Sequence, residues 1–192
     1  MKYFIGLCFL TCSVVPSFGT TISFATPAGY QGTSHSYGGI TATAYGAGTQ
    51  YLYGKNNGGN ENGLGLTSDP SGDHEITVGQ FIQLDVTSLQ GLTISFIMNS
   101  STGSEAWKVF ESSSPSANSG SSTVTGTDQG SHSITIASGM KYLDFTATAG
   151  NVLLSSISYT ATPEPLSLGL TGAGLVGLFL LRRRKAGSPD IN

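Results

Sequence analysis

The body of this 192-residue chain predicts an all-β protein, an antiparallel β-sandwich of jelly-roll type, and three observations carry that prediction. Apolar residues recur at every second position in three runs: Ile82, Leu84 and Val86; Leu92, Ile94, Phe96 and Met98; Leu143, Phe145 and Ala147. That period belongs to strands with one buried face, because successive side chains of an extended backbone leave on opposite sides. Thr, Ile, Tyr and Phe fill such runs, while Gly, Ser and Asn separate them. Between the two chain ends no segment carries apolar residues at helical spacing.

Taken in order, shorter or less regular strands are expected at Thr21–Phe24, Ile40–Tyr45, Thr49–Tyr53 and Glu75–Val78. Ala106–Glu111, Ser122–Thr125, His132–Ile136 and Val152–Tyr159 follow. Asp69-Pro70-Ser71-Gly72 places Asp at i, Pro at i+1 and Gly at i+3, the pattern of a type I turn. Gly91 and Gly150-Asn151 each separate two strands and predict hairpins. Ser112–Ser122, rich in serine, is expected to be a long exposed loop.

The two ends carry a different kind of information. Lys2, the apolar run Phe4–Val15 and Ser17-Phe18-Gly19 have the layout of a signal peptide, which signal peptidase would cut before Thr20. Both cysteines, Cys8 and Cys12, lie inside it, so the mature chain has no thiol and no disulfide. Cys12 could instead mark a lipoprotein, but Leu10-Thr11 before it does not fit and the apolar run would be too short. Residues 20–162 then form one ectodomain. At the other end Pro163-Glu164-Pro165 precedes sixteen uncharged residues, Leu166–Leu181, and the cluster Arg182-Arg183-Arg184-Lys185. The prolines force an extended junction, and the cations resist translocation and hold the terminus in the cytoplasm. Sixteen residues are short for a permanent span, which needs about 20. A polar tail, residues 186–192, ends the chain.

This three-part tail resembles the PEP-CTERM sorting signal of Gram-negative bacteria. The resemblance covers residues 163–185: the Pro163-Glu164-Pro165 motif, a single apolar membrane-sorting helix rich in Gly and Leu, and the Arg182–Lys185 cluster. It implies export, transient retention at the inner membrane, processing by an exosortase-type enzyme, and delivery to the cell surface or extracellular matrix, including biofilm. It assigns no chemistry to the ectodomain.

Charge narrows the partners. The ectodomain holds nine acids and three lysines, a formal charge of −6, and every arginine belongs to the tail. Binding nucleic acid requires phosphate neutralisation, so nucleic acid is not an expected partner.

Within the ectodomain Gly54–Glu75 gathers Asn56, Asn57, Asn60, Glu61, Asn62, Asp69, Asp73 and Glu75 on a glycine-rich segment. Hard oxygen ligands of this kind suit Ca²⁺, with Asp69, Asp73 and Glu75 as the candidate ligands. The spacing matches neither an EF-hand nor a calcium-binding repeat, and Asn and Asp also serve loops by bonding their own backbone. Tyr51 and Tyr53 share a strand face and form a candidate sugar platform; Trp107 shares a face with Val109 and is expected in the core. No catalytic set is expected. Asp85 and Asp144 fall on the outward positions of alternating strands, and His35, His74 and His132 lack zinc-type spacing. The expectation is an exported, non-catalytic surface or matrix protein; the alternatives are a secreted carbohydrate-binding module, which would hold extracellular polysaccharide with Ca²⁺ supporting the Gly54–Glu75 loop, and, less favoured, a small secreted hydrolase.

Overall fold

The structure, a computed structural model, describes residues 18–101, 104–116, 120, 123–161 and 174. The predicted signal peptide (apart from Phe18 and Gly19), the Pro163-Glu164-Pro165 motif, the predicted apolar sorting helix Leu166–Leu181 (apart from Gly174), the Arg182–Lys185 cluster and the polar tail lie outside the described residues. One compact unit spans Gly19–Ala161. Among the described residues, no helix is long and apolar enough to cross a membrane.

Along the chain the strands are β1 (Phe18–Ser23), β2 (Gly29–Tyr30), β3 (Ser34–Tyr37), β4 (Ile40–Tyr45), β5 (Leu52–Asn56), β6 (Asn62–Leu66) and β7 (Ile76–Thr77). They continue as β8 (Phe81–Asp85), β9 (Thr93–Asn99), β10 (Ala106–Ser112), β11 (Thr123–Gly126), β12 (Ser131–Thr135), β13 (Tyr142–Ala149) and β14 (Asn151–Ala161). One sheet runs β12-β9-β14-β6-β5-β2, with β1 and β7 also pairing with β14; the second runs β11-β10-β13-β8-β4-β3. The registered pairs are antiparallel. The protein is therefore all-β, two antiparallel sheets packed as a sandwich.

The three alternating runs become β8, β9 and β13, within a residue or two of their predicted limits. Their inward residues meet across the sandwich. Phe96 packs edge-on against Trp107 and Phe145, with both ring pairs 5.5 Å apart between centroids. Ile82, Leu84, Leu143, Val109 and Trp107 from one sheet and Ile94, Met98, Leu52, Leu64 and Ile157 from the other are all fully buried. Trp107 donates its indole N–H to the carbonyl of Asp128 at 3.0 Å, so burying its one polar atom carries little penalty. Because the described domain contains no cysteine, this apolar contact is what offsets the entropy of ordering the chain.

Two turn predictions are corrected. Gly91 and Gly150-Asn151 do not close hairpins: β8 and β9 lie in different sheets, and so do β13 and β14. Both turns carry the chain from one sheet to the other around the edge of the core. Between β8 and β9 the crossing is built by a short 3₁₀ turn at Thr87–Leu89, whose Leu89 side chain is buried. Three strands went unpredicted. β2 and β3 are short, and β6 reads Asn-Gly-Leu-Gly-Leu, a composition that β-propensity disfavours. Its Leu64 and Leu66 are nonetheless fully buried, and burial outweighs propensity there.

Candidate functional site

The end of the Gly54–Glu75 segment, at His74 and Glu75, returns onto the outer face of β5 and β6. Leu64 and Leu66 point into the core, so Gly63 and Gly65 fall on the outside by alternation. The backbone of the returning chain lies directly on Gly65: a Cβ there would sit 1.9 Å from the carbonyl oxygen of His74. Opposite Gly65 in the register is Tyr53, and its ring stacks on His74 at 4.0 Å. Glycine at position 65 is thus required by contact, not by turn geometry. Gly65→Ala is expected to cost about 1–3 kcal/mol, the range for overpacking a close approach. Urea unfolding measures it, and a variant as stable as wild type would show that the segment can lift off β6 freely.

Beneath the returning chain lies a buried polar cluster. Lys55 Nζ donates to Glu75 Oε1 at 2.6 Å and to Glu61 Oε2, and Ser100 Oγ donates to Glu75 Oε1 at 2.8 Å. Lys55, Glu75 and Ser100 are all buried, while the Glu61 side chain is 43 % exposed. Burial pushes the Glu75 carboxyl up, against the pull of Lys55; the hydrogen bond from Lys55 holds Glu61 below the usual carboxylate range. Burial alone would lower the Lys55 ammonium, but its bonds to Glu61 and Glu75 outweigh that and raise it. His74 and Ser100 flank the cluster with φ of 61° and 60°, a left-handed conformation that costs a non-glycine residue about 1–2 kcal/mol. The Tyr53 stack holds His74 in place, and hydrogen bonds to Glu75 and the Asn60 carbonyl hold Ser100.

This arrangement locates the sequence candidates. Asp69 spends its carboxylate on its own turn: Oδ1 accepts from Ser71 N at 3.1 Å, and Oδ2 from Asp73 N at 3.2 Å and from the Ser71 hydroxyl. The predicted turn forms, with Gly72 N donating to Asp69 O at 3.1 Å. Asp73 is exposed, and Glu75 is taken up by Lys55. The structure does not bring Asp69, Asp73 and Glu75 together, and among the described residues no group of three or more His, Cys, Asp or Glu converges as a metal set would. Tyr51 and Tyr53 do share a face but form no common platform. Tyr51 packs beside Tyr30 with centroids 5.2 Å apart, whereas Tyr53 is roofed by His74. Lys55 and Ser100 escaped sequence reading, although one signal pointed to them. Glycines at alternate outward positions, 63 and 65, say that something covers that face.

The outer face of the second sheet carries a different arrangement. The register aligns Tyr142, Asp85 and Thr41 in one row across β13, β8 and β4, and Asp144, Gln83 and Thr43 in the next. A third row holds Thr146, Phe81 and Tyr45, and the Tyr45 ring stacks on Phe81 at 4.9 Å. A cleft of about 220 Å³ opens over the first two rows, lined by Thr41, Thr43, Tyr45, Gln83, Asp85 and Tyr142. The segment after β10 forms its rim. Pro115 lines the cleft, and Ser116 N donates to Gln83 Oε1 at 3.3 Å. That segment, expected as a plain exposed loop, therefore helps to cover a sheet face.

Asp144 is the unusual member of this face. Alternation does put it on the outer side, as the sequence predicts, yet it is fully buried and does not line the cleft. Its Oδ1 accepts from Gln83 Nε2 at 2.7 Å, while Oδ2 is buried with no hydrogen-bond partner among the described residues. Burial pushes its pKa up to about 7, with the Gln83 bond opposing. Asp85 lies diagonally across from it and is exposed, so the two carboxylates share a face but not an accessible site. Glu111 is on the opposite, core-facing side of β10, accepting from Ala137 N at 2.6 Å.

No family model, no curated protein and no solved structure matches the chain.

Proposed function

We propose that the chain is an exported, non-catalytic component of the cell surface or extracellular matrix, sorted by a PEP-CTERM-type tail and carrying a jelly-roll-type sandwich. The observation that carries this reading is the order along the chain. A compact sandwich spans Gly19–Ala161, and Pro163-Glu164-Pro165 follows the last strand after one residue, with the apolar stretch and the cations behind it. Such an order suits a folded cargo handed to a membrane-bound processing enzyme. Signal peptidase would act first at the other end; β1 begins at Phe18, two residues ahead of the predicted cut before Thr20. The jelly-roll topology is supported by the way successive strands from β8 to β10 and from β11 to β14 change sheets.

The test is expression in an exosortase-positive Gram-negative host, with the mature product sized by mass spectrometry. Wild type is expected to be trimmed near residue 163 and delivered outward. A chain with Pro163-Glu164-Pro165 replaced by alanines is expected to remain full length at the inner membrane with its domain folded. An untrimmed wild-type chain in that host would overturn the reading.

A carbohydrate-binding module is the second reading. It is favoured by tyrosines on the outer faces of both sheets: Tyr30, 64 % exposed, beside Tyr51 on one, and Tyr45 and Tyr142 in the cleft on the other. Aromatic faces of this kind stack on sugar rings, and a matrix protein that holds polysaccharide would need them.

A further inference from the structure

We infer that the cleft on the second sheet, not the Tyr51–Tyr53 face, is where the domain holds polysaccharide, and that its occupant is a neutral pyranose unit. The inference rests on the carbohydrate-binding reading and gives it a site. Four features of the cleft select the ligand.

Its lining pairs aromatic surface with hydroxyl and carboxylate groups. Tyr142 and Tyr45 supply rings, Thr41 and Thr43 hydroxyls and Asp85 a carboxylate, over a floor formed by Gln83, whose buried amide is bonded to Asp144 and Ser116. A pyranose presents the complement: an apolar ring face for a tyrosine, and an edge of hydroxyls that both donate and accept.

The charge is selective too. Among the described residues, Asp85 is the one charged residue in the lining and no cation lines the cleft. A uronate, sulfate or phosphate would meet a carboxylate with nothing to offset it, whereas a carboxylate accepts two hydroxyl donors of a neutral sugar well.

Size fits a single unit. About 220 Å³ falls below the 300–1,000 Å³ typical of sites that engulf a drug-sized ligand. An open cleft of this size on a sheet face suits one unit of a chain that continues on either side.

The lining is also held in place before any ligand arrives. Tyr45 is stacked on Phe81, Gln83 is bonded on one side to Asp144 and on the other to Ser116, and Asp85 Oδ1 accepts from Thr87 N at 3.0 Å. For these three side chains little entropy remains to be lost on binding. The Tyr51 face offers less, because His74 covers Tyr53 and leaves Tyr51 with only Tyr30 beside it.

Affinity electrophoresis of the full chain in a zwitterionic, sugar-free detergent tests this. The gels contain dextran, hydroxyethyl cellulose or galactomannan as neutral probes and polygalacturonate as the anionic one. The expected result is retardation by at least one neutral polymer and none by polygalacturonate. Tyr142→Ala and the isosteric Asp85→Asn should each weaken retardation about tenfold, with unchanged thermal melting showing that the fold persists. Retardation by a neutral polymer that survives both substitutions, or that is lost instead in Tyr51→Ala, would overturn the cleft assignment while leaving carbohydrate binding standing. Retardation by polygalacturonate alone would overturn the choice of a neutral sugar. No retardation by any polymer would overturn the carbohydrate reading and this site with it.

Discussion

Lys55→Met is expected to lower the stability of the domain by about 3–5 kcal/mol, the cost of removing one partner from a buried ion pair. Lys55 is the cation between two carboxylates, and the two would respond differently to its loss. Glu61 is 43 % exposed on its side chain and can turn to water. Glu75, at 5 %, cannot, although it would keep the Ser100 hydroxyl. Its carboxyl is already pushed up by burial, and without the ammonium it rises further. An acid whose folded pKa is raised contributes stability below its unfolded value and loses it as pH rises through the folded one. The deficit of the variant should therefore be largest at neutral pH and shrink in acid. Urea titration read through the fluorescence of Trp107, the one tryptophan of the chain and fully buried, gives the numbers. The double variant Lys55→Met/Glu75→Leu removes both charges and should recover most of the loss. A double variant no more stable than the single one would mean that Lys55 does not offset the buried charge of Glu75.

The second large effect is in the pH dependence of Asp144. Its folded pKa of about 7 lies above the ordinary value of about 3.9, so the folded state keeps a proton that the unfolded state gives up. The contribution is fully present below about pH 4 and falls as pH rises towards 7, by on the order of 4 kcal/mol in total. Among the described residues no cation forms an ion pair with the group to rescue its ionised form. In the strand register the charged residues nearest it on that face are Asp85 and Lys108, each diagonal to it, and its direct neighbours are Gln83 and Phe110. Asp144→Asn replaces the neutral acid with a group of the same shape that cannot ionise, and Gln83 can still donate to its oxygen. The stability of the variant minus that of wild type should be near zero or slightly negative at pH 4 and rise to a gain of several kcal/mol at pH 8. A difference that stays constant between those pH values would mean that Asp144 does not carry a proton in the folded state.

Particular residues show how far the sequence could be read. Alternation placed β4, β8, β9, β10 and β13 nearly to the residue and put Trp107 in the core, since each has one face that water must not reach. The same rule put Asp144 on the outer side and, from that, implied a solvated carboxylate. The side was right and the exposure was not: Pro115 and Ser116 lie against that face beside Gln83, and local periodicity does not report what a distant residue covers. Glu75 shows the same limit from the other side. A carboxylate in an Asn-rich, Gly-rich stretch reads as an oxygen ligand until Lys55, twenty positions earlier, is found at 2.6 Å.

Chain order, the apolar and cationic ends, the absence of cysteine from residues 20–162 and the all-β class follow from the sequence alone. They depend on composition and on a period of two, both of which are local. Which strands share a sheet was decided only in three dimensions. A glycine turn between two half-buried strands can close a hairpin or cross the core, and Gly91 and Gly150 both cross because the inward faces they connect are complementary across the sandwich. The Lys55 cluster and the Tyr142–Asp85–Thr41 row depend on the same choice. Each draws on segments far apart in the chain, and pairing energy between such segments exists only once the two sheets have selected their registers.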